Sequence, residues 1–213
     1  MSSDKVDVYA RTDQAIRVMD RDSLRAFGQL KLAKWDELHI IREVTTLYRK
    51  SAKKARQQYY EIAFEAFVLG LMLCDMDSKE AHRLAEKVIT GDWVDDVLSQ
   101  TDFVMLYRFD TETERKAVRL SEALEAAEDK NAEIDKALRS WTGQLSQFAI
   151  NFADYAMIAA YQEAGIEKVR WVSVPDEKRC SVCRGRHGRI YPIAAVPTKH
   201  PRCRCWVVPV RQA

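Results

Sequence analysis

Seven glycines and five prolines are few for 213 residues, which excludes a Gly/Pro-rich disordered chain and fits a globular, helix-rich one. No apolar run approaches the length of a membrane-spanning helix. The opening MSSDKVDVYARTDQ lacks the apolar centre of a signal peptide, so synthesis in the cytoplasm and no membrane partner are expected. Also missing are the G-x-S-x-G elbow, the P-loop and the dinucleotide fingerprint. No enzyme is expected. The five cysteines are an odd number without a secretory signal, which argues for reduced thiols over a disulfide framework.

What is present divides near Gly165. Residues 166–213 hold 11 Lys/Arg against 3 Asp/Glu, a charge of +8, and the first 165 hold 23 against 29, a charge of −6. The tail therefore suits something anionic, either nucleic acid or an acidic protein surface. Residues 1–165 read as a helical body and 166–213 as a small β-rich module, α+β overall but mainly α.

In the body, Leu38, Ile41, Thr45, Tyr48, Ala52, Ala55, Tyr59, Ile62, Ala66, Leu69 and Leu73 recur at spacings of three and four, the seam of one long packed helix. Its small residues admit a close neighbour, and an internal helix is favoured for that role. Asp22-Ser23 is read as its cap. Asp77-Ser78 precedes a short helix over Glu80–Ile89, Thr90-Gly91 ends it, and Asp92 opens another through Leu98. The run FVMLYRF, 103–109, is left unassigned. Asp110-Thr111 starts a charged helix. A last long helix presents Ile134, Ala137, Leu138, Trp141, Leu145, Phe148, Phe152, Tyr155 and Ile158 as core and stops at Gly165. Cys74 is read as an inert core thiol on the long helix.

Beyond Gly165, KVRWVSV alternates, and RIYPI and CWVVPV are short and β-like. A module this small buries too little apolar surface to fold without a metal, a disulfide or a larger neighbour. Cys180-Ser-Val-Cys183 and His200-Pro-Arg-Cys203 are two ligand pairs of equal spacing, the pattern of a closed structural Zn²⁺ site. In an extended chain Cys203 and Cys205 face the same way, so either completes the set. Cys180, Cys183, His200 and Cys203 are favoured over the set using Cys205. His187, in GRHGR, is read as an exposed turn residue. A thioredoxin-like C-x2-C opens a helix after a strand, whereas Arg184-Gly185 is read as turning the chain back, against redox chemistry.

The ordered string GIEKVRWVSVPDEKRCSVCRGRHGRIYPI…VPTKHPRCRC resembles the C-terminal domain of the phage Mu F-like head-morphogenesis family, the minor capsid or minor head proteins. Trp171, Asp176, Cys180, Cys183, Gly188, His200, Pro201, Cys203, Arg204 and Cys205 each match a position of that pattern. The likeness extends back to about Thr101, and the basic RGRHGR turn departs from it. The resemblance implies a non-enzymatic virion component at the portal vertex or capsid interior, serving head assembly or genome delivery. Its implied partners are the portal, other capsid or scaffold proteins and phage DNA, and it leaves room for a homo-oligomer. Arg184, Arg186, Arg189, Arg202 and Arg204 are the residues suited to phosphate or acidic-partner contact. A zinc-ribbon nucleic-acid-binding regulator or nuclease accessory is the second reading. It is weakened by the lack of aromatic-basic interleaving and of a helix beside the metal.

Overall fold

The computed structural model describes residues 4–32, 37–100, 108–173, 180–197, 199, 203 and 205–210. The chain is mainly α with a small antiparallel sheet near its C-terminus. Four long helices make the body: α1 (Asp4–Leu32), α2 (Glu37–Met72), α5 (Phe109–Ala126) and α6 (Lys130–Glu163). Two short ones, α3 (Ser78–Val88) and α4 (Gly91–Ser99), pack on α2.

The side-chain pairs give the directions. Tyr48 meets Trp141, Tyr59 stacks on Phe152, and Gly70 abuts Ala160. α2 and α6 therefore run parallel and form the most extensive pairing of the body. α1 lies antiparallel to α2, since Phe27 meets Tyr48 and Asp22 meets Lys54, while Arg11 pairs with Glu65 further along. α5 lies antiparallel to α6, with Phe109 on Phe148 and Lys116 on Ser140. A methyl at Gly70 would stand 2.7 Å from Ala160 Cβ. Only glycine lets the two backbones come so close there.

Tyr59 is the hub of the core. Its ring stacks on Phe152 at 5.1 Å and meets Phe109 edge-on at 5.5 Å, and its hydroxyl donates to Leu145 O at 3.2 Å. Full burial of a polar tip is tolerable because that donor is satisfied. Trp141 is anchored likewise, Nε1 donating to Ser51 Oγ at 2.8 Å.

The expected helix boundaries hold with four differences. Asp22 and Ser23 do not cap α2; they lie inside α1, with Ser23 buried beside Ser51 and Asp22 paired to Lys54. Ile41 is exposed, while Ile40 and Val44 are buried, so the seam enters α2 one residue out of the expected phase. Thr90 does not only end α3; its hydroxyl accepts from Trp93 N and caps α4. α5 starts at Phe109, a fully buried core residue, and Asp110 pairs with Arg56 instead of capping. Residues 101–107 of the unassigned run lie outside the described residues.

Gly165 ends α6 as expected. At φ +70° it lets Ile166 N reach Tyr161 O and Gly165 N reach Gln162 O, the reciprocal pair of a Schellman stop. Then come β1 (Lys168–Val172), the six-residue helix α7 (Ser181–Arg186), β2 (Ile190–Pro192), a single 3-10 turn over Ile193–Ala195 and β3 (Trp206–Val210), in the order β2-β1-β3.

Backbone bonds show which groups are spent. Trp171 N donates to Arg189 O and Ile193 N to Glu167 O, so the odd-numbered residues of β1 bond β2 and the even-numbered ones bond β3. By the register, Pro192 and Pro209 then point their missing donors away from the sheet, one on each rim. On the β3 rim, Val207 O accepts from Tyr161 Oη of α6 at 3.2 Å. One face, with Val169, Trp171 and Val207, is buried; the other carries Lys168 and Arg170 exposed. No helix among the described residues is long and apolar enough to cross a membrane.

Candidate metal centre

Cys183, Cys203 and Cys205 are brought together, all buried, with their sulfurs within 4.8 Å of one another. Cys183 Sγ and Cys203 Sγ are 3.6 Å apart and no disulfide is formed. A tetrahedral ion with metal–sulfur bonds of about 2.3 Å requires sulfur–sulfur edges of ~3.8 Å. The spacing fits such an ion, and these residues could hold a metal.

Each sulfur is placed by local structure. Cys180 stands at the N-cap of α7, where its Sγ accepts from Cys183 N at 3.3 Å. Its thiol also bears on that of Cys183, but the three sulfurs within 4.8 Å of one another are those of Cys183, Cys203 and Cys205. Three residues of helix then carry Cys183 back over Cys180. Cys203 and Cys205 lead into β3, and alternation puts both on the side of buried Val207.

Burial, followed by thiol contacts with Cys205 and Cys180, pushes Cys183 up to about 12. The hydrogen bond with Cys205, then burial, raises Cys203 far above the usual thiol range, and Lys199 acts in the opposite direction. Without a cation these thiols hold their protons; a divalent ion would displace them.

The C-x2-C pair opens a short helix, against the expectation that the chain turns straight back. Cys180 caps that helix, and the turn comes later at Gly188, whose φ is +79°. His187 is exposed as expected, and its Nδ1 accepts from Ser173 N at 3.1 Å. Cys74 lies just past the end of α2, partly buried against the core. Arg184 and Arg189 are exposed, while Arg186 lies over the buried Trp171 ring at 5.1 Å. Asp176, His200, Pro201, Arg202 and Arg204 lie outside the described residues.

Two important residues escaped the sequence reading. Asp154 of α6 and Lys199, with side chains 5% and 10% exposed, form an ion pair between the body and the cysteine-bearing chain. The available signal was an acid set into the apolar stretch NFADYAM, where only a partner makes a carboxylate tolerable. Searches against protein-family models, curated proteins and solved structures return no match to the chain.

Proposed function

We propose that the chain is a non-enzymatic minor head protein of a tailed bacteriophage, of the Mu F-like head-morphogenesis kind, whose C-terminal module is clamped by structural Zn²⁺. The observation that carries this reading is the ordered motif itself: Trp171, Cys180-x2-Cys183, Gly188 and His200-Pro201-x-Cys203-Arg204-Cys205 follow a helix ending at Gly165. Support comes from a sulfur cluster that suits a soft, closed, tetrahedral ion and presents thiols alone among the described residues.

In this reading Cys180, Cys183, Cys203 and Cys205 hold the ion, or His200 supplies one donor in place of a thiol. The helical body docks on the portal or on neighbouring capsid or scaffold proteins. The basic tail, through Arg184, Arg186 and Arg189 with Arg202 and Arg204, meets phage DNA or an acidic surface. The protein is made in the host cytoplasm and retained in the virion.

Mass spectrometry of gradient-purified particles from the strain that encodes the chain tests the assignment. Peptides of this protein co-migrating with portal and capsid peptides are expected; their absence from intact particles refutes it. The short helix α7 beside the cysteines favours the nucleic-acid-binding regulator as the second reading. Sequence-selective retention of duplex DNA, with no virion association, would establish that reading instead.

A further inference from the structure

We infer that the outward face of the C-terminal sheet is a docking surface for a second copy of this chain, and that it engages the acidic outer stripe of α5. The inference stands independently of the phage reading. Along β1, alternation sends Val169 and Trp171 inward and Lys168 and Arg170 outward. The register puts Ile190 and Val208 beside Arg170, and Val210 beside Lys168. Ile190 is 49% exposed and the two valines are half-buried. The face is thus an apolar floor with two cations at its centre and no acid. Among the described residues neither cation has an ion-pair partner.

Charge narrows the occupant, since residues 1–165 carry −6 against the +8 of the tail. Among the described residues, three branched aliphatics of the body stand more than half exposed, Leu24, Ile41 and Val118. Leu24 lies between Arg21 and Arg25, and Ile41 beside Arg42. Val118 alone is flanked along its face by exposed acids, Glu114 and Glu122 one turn either way and Glu125 beyond. Arg119 lies at the margin, and Arg115 is already held by Glu112. An apolar centre between carboxylates is the complement of an apolar floor around ammonium and guanidinium groups.

The contact cannot form within one chain. The middle of α5 lies beside Ser140, where Lys116 meets it, and the sheet is fastened at Tyr161. The step of 21 residues along α6 from Ser140 to Tyr161 amounts to roughly 30 Å of helix. The sheet of one copy therefore meets the α5 of the next. Such head-to-tail pairing closes into a ring or continues as a chain.

Sedimentation velocity and light scattering of the full-length protein test this. The mass is expected to climb above the 24.6 kDa monomer with concentration at low salt, and to fall back as salt rises to ~1 M, where screening acts over ~3 Å. A Lys168→Glu/Arg170→Glu protein and a Glu114→Lys/Glu122→Lys protein should each be monomeric, because each opposes like charges across the interface. Mixed in equal amounts they should associate again, since both kinds of junction between them are then complementary. The milder Arg170→Ala and Glu122→Ala proteins should each weaken association several-fold with unchanged circular dichroism. A wild-type monomer at every concentration overturns the inference, as does association indifferent to these charges, a mixture that stays monomeric, or assembly that appears only on duplex DNA.

Discussion

Gly70→Ala probes the parallel contact of α2 with α6. The new methyl would sit 2.7 Å from Ala160 Cβ and 3.3 Å from Met157 O, against the ~3.5–4.0 Å at which carbon atoms pack comfortably. Neither neighbour can swing aside, because one is the first atom of a side chain and the other is backbone. The helices must part along their seam, an overpacking cost of ~1–3 kcal/mol. Alanine's better helix propensity returns about 1 kcal/mol. The net expectation is destabilisation by ~0–2 kcal/mol, or up to about 8 °C in Tm for a chain of this size. Ala160→Gly alone should cost about 1 kcal/mol in propensity. In the double variant the methyl has only moved from one helix to the other, so stability should return to within ~1 kcal/mol of wild type, with a coupling of ~1–3 kcal/mol. Urea unfolding of the four proteins, followed by circular dichroism and tryptophan fluorescence, measures the cycle. Additive effects, or a Gly70→Ala protein more stable than wild type, would refute the close approach.

Three further outcomes are expected. Asp154→Ala strands the Lys199 ammonium in a buried site and should cost ~3–5 kcal/mol; adding Lys199→Met should recover much of it in thermal unfolding, and a double variant no better than the single would contradict the ion pair's burial. Tyr161→Phe leaves Val207 O without its donor, a loss of ~1–3 kcal/mol, read as faster amide exchange in β3; unchanged exchange would remove that hydroxyl from the account. Purified protein should carry about one Zn²⁺ per chain, lost in Cys183→Ser, and chelation should open the segment after Gly165 to trypsin while the body survives. Full resistance after chelation would mean that the sheet stands without the ion.

How much was legible in the sequence varied with how local the physics is. The stop at Gly165 and the aromatic face of α6 were readable, since a left-handed glycine and a 3.6-residue period need no knowledge of the neighbours. That Cys203 and Cys205 share a face followed from strand alternation in the same way, although the sequence offered them as alternatives where the structure gathers both sulfurs. Asp22-Ser23 failed because the same two residues that cap a helix can also be held by a facing one. Ser51 and Lys54 of α2 decide their role. Ile41 and Ile40 are equally apolar, and only the approach of α1 and α6 selects which is buried. The Asp154–Lys199 pair joins residues 45 apart, a distance over which periodicity carries no signal.

Pro192 and Pro209 give the sheet a property that its small size would not suggest. Strand addition needs a rim with free donors in register, and each rim here has an imino nitrogen in the row an incoming strand would read. Each described rim of the module is therefore an interrupted template for strand addition, even while newly made chains are crowded together. Whatever joins it must come broadside, matching side chains to its flat surface.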